Sequence, residues 1–264
     1  MNRAGFILPD YRKVRNVLLV LILLLALVLS VQLLLSFIIL PEMQIGQILL
    51  ESTVNLPDQA LLAMGGLSGG VNYLSLDEKT IRETYETSPM IRKAFIQKQF
   101  PNTLKIVLYG RNPLGISLVE QDGVVVPAVF DDQGVIFRVG GNADVLDLPV
   151  LTGIRYGNVR EGMVLPEALQ PLFRDLETLK EKQPVLYSQI SEIKVVKKSD
   201  EHYDLKLYLS SWQVPVLTAS RLDDALLRRI ILVLDVLKGK NMLSDLEYAD
   251  FRSGQVVLKM KEGR

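Results

Sequence analysis

The sequence predicts an α+β chain: a single N-terminal transmembrane helix, a strand-helix-helix-strand-strand module, and then a mixed β domain with two helices. Three observations support this prediction. An uncharged apolar run occupies residues 17–40, two short helical patterns precede a hairpin pattern in residues 44–110, and most of the later chain alternates apolar and polar residues. The chain has 264 residues, 48% of them hydrophobic, which is enough for one or two domains with apolar cores.

The apolar run VLLVLILLLALVLSVQLLLSFIIL, residues 17–40, contains no charged side chain. As a helix it is about 36 Å long, which exceeds the ~30 Å hydrocarbon core of a bilayer. A buried core helix is the weaker interpretation, because helices of soluble proteins keep a polar face. No A-x-A cleavage pattern follows the run, so we interpret it as an uncleaved anchor rather than a signal peptide.

The residues before the apolar run predict its orientation. Arg3, Arg12, Lys13 and Arg15 precede it, against the single acidic residue Asp10. Because basic residues stay on the cytoplasmic side, we expect residues 1–16 to form a cytoplasmic tail. The rest of the chain after the span is then expected in the periplasm or outside the cell.

Composition narrows the classes of function. The 30 Lys and Arg residues balance the 30 Asp and Glu residues, so the charge gives no reason to expect a nucleic-acid partner. The chain has no cysteine, which excludes disulfides, thiolate metal sites and cysteine nucleophiles. The glycine pairs at 65–66 and 69–70 lack the G-K-[ST] of a phosphate-binding loop, and we interpret them as turns.

Residues 41–112 are predicted to form the first module. Ser75 and Glu78 predict a capping box at the start of its second helix. The segment KQFPNTLKIVLYGRNP, residues 98–113, combines a Pro-Asn turn with alternating apolar residues, which is typical of a hairpin. The predicted elements are a strand at 44–50, helices at 57–64 and 75–87, and strands at 91–100 and 104–109.

Residues 113–264 are predicted to form the second domain. The Asp-Gly pair at 122–123 predicts a tight hairpin turn. Apolar residues at helical spacing predict helices at 165–179 and 222–237, with Ser220 and Asp223 capping the second. The predicted strands cover residues 115–119, 124–130, 135–138, 190–197, 203–209, 213–218, 246–251 and 255–260.

The sequence offers no catalytic, cofactor-binding or metal site. His202 is the only histidine, and no hydrolase or zinc-protease motif accompanies it. Asp245, Glu247 and Asp250 lack the ligand spacing of a calcium-binding loop. We therefore expect a protein that is not an enzyme and has neither a cofactor nor a small-molecule substrate.

The order of elements and several short motifs resemble the FtsQ/DivIB family of bacterial cell-division proteins. P-x-T-L-x-I at Pro101–Ile106 and R-x-P at Arg111–Pro113 are similar to motifs of the family's POTRA domain. YADFRSGQVVLK at Tyr248–Lys259 resembles its closing Y-x-D-x-R segment, although Gly110 stands where the family usually has glutamate. The resemblance implies a POTRA-like domain at 41–112 and an FtsQ-type β domain at 113–264.

The resemblance implies a bitopic scaffold at the division septum, which recruits and links other division proteins through sheet-edge contacts. The implied partners are division proteins, with an FtsB/FtsL-like pair at the C-terminal strand. A terminal strand suits this role because its outer backbone groups can pair with a partner strand. The motif carries over these candidate partner-binding residues: Tyr248, Phe251, Arg252, Gln255, Val257 and Lys259.

Alternatives remain open for the candidate residues and for the function. Tyr248 and Phe251 are as well explained as core residues, whereas Val256, Leu258 and Met260 are expected to face the core. A second functional hypothesis is a POTRA-containing component of polypeptide transport or outer-membrane assembly, a class that typically carries several such repeats. A third is an anchored cell-wall enzyme, for which the sequence offers no catalytic residues.

Overall fold

The computed structural model describes residues 11–34, 44–67, 69, 72–121, 124–141, 147–154, 157–199 and 202–261. The predicted turn at 122–123, residue 70 of the second glycine pair, residues 1–10 of the tail and residues 35–40 of the span lie outside them. Within them, a single apolar N-terminal helix precedes a mixture of helices and sheets in the predicted order. The α+β fold class is therefore confirmed.

The N-terminal helix α1 extends over Tyr11–Leu34. Its stretch Val14–Leu34 has a mean hydropathy of 3.2, and none of that stretch is buried against the rest of the chain. The Ser30 hydroxyl donates to the carbonyl of Ala26 at 2.8 Å, so this polar group is satisfied within the helix. Length and composition make α1 a candidate transmembrane helix.

Two compact units divide the described chain. The first comprises the residues up to Glu51, together with Leu56–Glu83 and Phe95–Val107. The second comprises Ser52–Asn55, Thr84–Ala94 and Leu108–Arg264. The division passes through all three strands of a small sheet.

The small sheet has three strands in the order β1-β3-β2. Alternate residues of β3, namely Leu104, Ile106 and Leu108, are completely buried, as the period-2 pattern predicts. The elements are β1 Gln47–Ser52, α2 Asp58–Met64, α3 Glu78–Glu86, β2 Ile91–Gln99 and β3 Thr103–Gly110. This is the predicted strand-helix-helix-strand-strand order.

Helix α3 begins differently from the prediction. The Asp77 carboxylate accepts hydrogen bonds from the backbone N–H and the hydroxyl of Thr80, at 3.3 and 2.6 Å. These bonds, with the side-chain bond as the main cause, lower the pKa of Asp77. Glu78 instead accepts the N–H of Lys98 at 2.7 Å. The predicted capping box of Ser75 and Glu78 is wrong, because Glu78 is engaged by strand β2.

The large sheet has nine strands in the order β12-β11-β10-β9-β8-β7-β4-β5-β6. The pairs β4–β7, β7–β8 and β10–β11 are parallel, and the other neighbours are antiparallel. The strands are β4 Gly115–Gln121, β5 Val124–Phe130, β6 Ile136–Val139, β7 Val150–Thr152, β8 Ile190–Lys197, β9 Tyr203–Leu209, β10 Trp212–Thr218, β11 Leu246–Asp250 and β12 Val257–Met260. Strand β7 was not predicted.

Helices α4 Gln170–Lys182, α5 Pro184–Tyr187 and α6 Asp224–Gly239 accompany this sheet. Helices α4 and α6 bury the predicted apolar stripes in the same core as alternate residues of β8, β9 and β10. The N–H of Leu226 donates to Asp223 at 2.8 Å, so Asp223 alone caps α6. Because α6 links the parallel strands β10 and β11, the chain end returns to the edge of the sheet as β11 and β12.

Candidate functional site

The candidate site is the end of the nine-stranded sheet, where β12 is the terminal strand. Strand β12 pairs with β11 in antiparallel register, with Val257 opposite Asp250 and Lys259 opposite Tyr248. The register shifts between Leu246 and Tyr248, which is a β-bulge in β11. Within the described residues, the other side of β12 has no neighbouring strand.

The backbone of β12 is half paired. The N–H of Lys261 donates to the carbonyl of Asp245 at 2.7 Å, which directs the backbone groups of Lys261 toward β11. Successive residues of a strand direct these groups to opposite sides. The N–H and C=O groups of Leu258 and Met260 are therefore directed to the open edge.

Tyr248 and Lys259 form the outer surface of the last strand pair. The Lys259 ammonium lies 5.6 Å from the centroid of the Tyr248 ring and 3.0 Å from the Glu247 carboxylate. The hydrogen bond to Glu247 is the main reason why the pKa of Lys259 is raised. Tyr248 is half-buried and Lys259 is exposed, so both side chains are accessible at the edge.

Arg252 joins the β11–β12 turn to the β8–β9 hairpin. Its guanidinium donates to Asp250 at 2.6 Å and to Asp204 at 3.0 Å, and Lys198 lies 2.8 Å from Asp204. Burial alone would raise the pKa of Asp204, but the hydrogen bonds from Lys198 and Arg252 outweigh it and lower the pKa. The hydrogen bond from Arg252 likewise lowers the pKa of Asp250. Arg252 therefore holds the turn that presents β12.

Phe251 lies in the core and not on the edge. Its side chain is 5% exposed and belongs to the main apolar cluster. The Arg229 guanidinium lies 5.7 Å from the ring centroid and also donates to the carbonyl of Gly254 at 2.7 Å. Phe251 is therefore a core residue, which is one of the two interpretations that the sequence left open. Its ring packs in the core next to the β11–β12 turn.

Gln255 and Val257 are both exposed, but they lie in different local structure. Gln255 precedes the strand, and its carbonyl accepts the Ser253 hydroxyl at 2.8 Å. Val257 opens β12 and is 57% exposed. Met260, which was expected in the core, is 44% exposed. Val256 and Leu258 are partly buried and pack against the core.

The arrangement brings Tyr248, Arg252, Val257 and Lys259 to one edge. Sequence reasoning expected outward backbone groups on the terminal strand but did not assign them to Leu258 and Met260. The signal that identifies them is the alternation along β12, once its pairing with β11 is known.

A second cluster lies at the turn after β5. Arg111 donates from Nε to the carbonyl of Pro89 at 2.9 Å and from Nη1 to Asp131 at 2.6 Å. The other carboxylate oxygen of Asp131 accepts the N–H groups of Gln133 and Val135 at 3.0 and 2.9 Å. Both oxygens of the Asp131 carboxylate thus accept hydrogen bonds, and these contacts hold the turn after β5 in place.

The only histidine lies beside a mostly apolar cavity of about 430 Å³, whose lining includes Ile154, Leu169 and Tyr203. His202 Nδ1 is 3.2 Å from the Ser199 hydroxyl. The residues that the structure describes contain no group of three side chains that could together hold a metal ion. Asp245, Glu247 and Asp250 therefore do not form such a group.

Comparison with known proteins identifies the first domain. Residues 43–109 match the family model described as POTRA domain, FtsQ-type. The match covers the small sheet with its two helices almost completely.

Curated relatives match over longer segments. The chain is 27% identical over 159 residues to the cell division protein FtsQ of Geobacter sp. (strain M21), which covers 60% of this chain and 55% of that protein. It is 25% identical over 203 residues to FtsQ of Geotalea daltonii, covering 76% and 70%. With FtsQ of Syntrophotalea carbinolica it shares 23% identity over 222 residues, covering 83% and 75%.

The match with the Geobacter protein spans about half the length of that relative. The matches with the Geotalea and Syntrophotalea proteins cover at least 70% of each of those relatives. Residues 43–109 therefore form a POTRA domain of the FtsQ type, and over longer segments the chain is similar to proteins named cell division protein FtsQ.

Proposed function

We propose that the chain is a membrane-anchored scaffold of the division machinery, which binds and links other division proteins rather than catalysing a reaction. The observation that supports this proposal is the position of β12 at the end of the nine-stranded sheet. Its outward backbone groups can pair with an added strand, while Tyr248, Val257 and Lys259 offer side-chain contacts on the same edge.

The partner at this edge is an FtsB/FtsL-like pair, one chain of which adds an extended segment to β12. Four described features favour strand addition here. Strand β12 has a defined register with β11, and Arg252 holds the turn between them. Phe251 is buried in the core beneath the edge, and Val257 is exposed on the edge. A preordered edge lowers the entropy cost of binding because few groups must be immobilised.

The proposed location is the cytoplasmic membrane at the septum, with residues 1–16 in the cytoplasm and the folded units outside it. The chain has no natural cysteine, so Ser211→Cys creates a single label site on an exposed turn. A maleimide that does not cross the cytoplasmic membrane should label this cysteine in cells whose outer layer is permeable and whose cytoplasmic membrane is intact. Labelling only after the cytoplasmic membrane is lysed would contradict this orientation.

The test of the edge is photo-crosslinking from β12 in living cells. Benzoylphenylalanine in place of Val257 should form an adduct with one small division protein. Met260→Pro removes an outward N–H without removing a bond to β11, so it should abolish the adduct, whereas Met260→Ala keeps the N–H and should retain it. Unchanged crosslinking in the proline variant would refute strand addition at β12.

The scaffold role is tested by depletion of the full chain. Depleted cells should grow into filaments without septa, and the chain with Met260→Pro should fail to restore division although it reaches normal levels. Normal septation in depleted cells would overturn the proposal.

A further inference from the structure

Two lysines lie directly opposite each other on the face of the nine-stranded sheet that turns away from the main core. Lys194 of β8 and Lys206 of β9 are register partners. Their strand neighbours Val195, Leu205 and Leu207 are buried in the core, so the lysines occupy the alternate, outward positions. Lys194 is exposed and Lys206 is half-buried.

This pairing opposes folding. Side chains directly opposite across two antiparallel strands have Cβ atoms about 4.5–5.5 Å apart, and like charges at that distance are destabilising. Within the described part of the chain, neither ammonium has a carboxylate at ion-pair distance. Lys206 instead lies 5.6 Å from the centroid of the Tyr208 ring.

The nearby carboxylates on this face are engaged elsewhere. Glu192, which lies opposite Tyr208, accepts the Thr152 hydroxyl at 2.5 Å. Asp204 is bound by Lys198 and Arg252. Within the described residues neither of these two acids forms an ion pair with Lys194 or Lys206, so the two ammonium groups lie next to each other beside an aromatic ring.

The registers place these lysines in line with the free edge. One cross-strand row on this face ends at Val257 of β12, and its members are Thr152, Lys194, Lys206, Leu217, Asp250 and Val257. With neighbouring strands about 4.8 Å apart, Lys206 is about 14 Å and Lys194 about 19 Å from β12. About six extended residues cover that distance.

We propose that Lys194, Lys206 and Tyr208 bind an acidic segment of the polypeptide that adds its strand to β12. This inference rests on the proposed function, because the acidic segment and the added strand belong to one partner chain. Two ammonium groups on neighbouring strands match a carboxylate that accepts charge-assisted hydrogen bonds from both. Leu217 and Tyr208 supply apolar surface along the same path, which a polypeptide can cover on its way from the edge.

The first experiment identifies the anion. Cells that express the full chain are treated with a water-soluble carbodiimide, which joins an ammonium to a carboxylate in direct contact. We expect Lys194 or Lys206 to be joined to Asp or Glu of the same chain that crosslinks to position 257. If these lysines form no adduct with a carboxylate of another chain, the proposal is overturned. Crosslinking to a lipid headgroup instead of a polypeptide would overturn it as well.

The second experiment separates binding from folding. Lys206→Glu replaces the like-charge pair by an opposite-charge pair, so it should raise the thermal unfolding midpoint of the purified full chain. It should nevertheless lower the yield of the photo-adduct at position 257 about tenfold, because a charge-assisted contact becomes a repulsion. A purely structural role would move stability and adduct yield in the same direction.

Matched variants complete the test. Lys194→Glu with Lys206→Glu restores a like-charge pair of the opposite sign, so its stability should resemble that of the native chain while the adduct is lost. Lys182→Glu with Lys240→Glu makes the same charge change at exposed positions at the C-terminal ends of α4 and α6, and it should leave the adduct unchanged. If the adduct forms normally in every Lys194 and Lys206 variant, this inference fails while strand addition at β12 stands. If no adduct forms at position 257 even in the native background, the proposed function fails.

Discussion

Arg111 donates from Nη1 to Asp131 Oδ2 at 2.6 Å, and the Asp131 side chain is completely buried. Removal of the guanidinium by Arg111→Ala leaves a buried carboxylate without its cation, which costs about 3–5 kcal/mol. We expect that loss in the free energy of unfolding measured by urea denaturation of the detergent-solubilised chain. Trp212, the only tryptophan, reports the unfolding of the large sheet.

A neighbouring pair supplies the control for Arg111→Ala. Arg92 binds Asp132 through two hydrogen bonds of 2.7 and 2.9 Å, but its side chain is 36% exposed. Arg92→Ala should therefore cost only about 1 kcal/mol or less. If the two variants lose the same free energy of unfolding, the burial of Asp131 is not what makes Arg111→Ala destabilising.

The Arg252 cluster predicts a pH dependence of stability. The folded chain holds the pKa of Asp204 and Asp250 below the ordinary value of 3.8. The unfolded chain binds more protons below that value, so the stabilisation is present above about pH 4 and is lost as the pH falls through the folded pKa values. Arg252→Gln should lower stability at pH 7, and the difference from the native chain should shrink at lower pH.

Unfolding free energies measured at several pH values between about 2 and 7 check the Arg252 prediction. Arg228→Gln is the control, because Arg228 forms an exposed i,i+4 pair with Asp224 at 3.9 Å. Its effect should be small at every pH. A constant difference between Arg252→Gln and the native chain across this range would refute the assignment.

Two buried tyrosines predict opposite effects of the same substitution. The Tyr85 hydroxyl has no hydrogen-bond partner among the described residues, and burial raises the pKa of Tyr85 to about 12. The Tyr187 hydroxyl donates to the carbonyl of Leu114 at 2.6 Å. Tyr85→Phe should stabilise the chain by about 1 kcal/mol, whereas Tyr187→Phe should destabilise it by about the same amount. Urea denaturation of both variants decides the matter, and effects of the same sign would contradict the prediction.

Local sequence patterns suffice for the antiparallel strands. The strands predicted at 190–197 and 203–209 coincide with β8 and β9 because their alternate residues, such as Ile193 and Leu207, enter the core. Helix α6 is equally clear, since Leu227, Ile230 and Leu234 recur at helical spacing and are completely buried. In these elements a single face meets the core, so the period of the pattern matches the structure.

Long-range pairing accounts for what the patterns missed. Strand β7 is only three residues long, too short to show a period, and it is defined by its parallel partners β4 and β8. Met260 continues the apolar alternation of β12, yet it is exposed because its strand is the last of the sheet. The Lys194–Lys206 pair likewise depends on register, so the charges of the sequence alone did not indicate a binding surface.

Glu177 on helix α4 predicts a stabilising substitution. Burial is the main cause that raises the pKa of Glu177, and the nearby carboxylates of Asp132 and Glu181 add to it. The folded chain therefore binds a proton more readily than the unfolded chain, so stability falls as the pH rises from the ordinary value of 4.5 through the folded pKa. Glu177→Gln removes the charge and keeps the shape, so the variant should be more stable than the native chain at pH 7.

The advantage of Glu177→Gln should disappear near pH 4, where the native carboxyl group is protonated. Unfolding free energies of both chains at pH 4 and pH 7 provide the measurement, with Glu181→Gln as a control at an exposed position on the same helix. The control should raise stability less than Glu177→Gln does, because Glu181 is exposed and its substitution relieves only its repulsion of Glu177. An advantage of Glu177→Gln that is equally large at pH 4 would mean that the amide forms a new contact, and charge burial at Glu177 would then not be the cause.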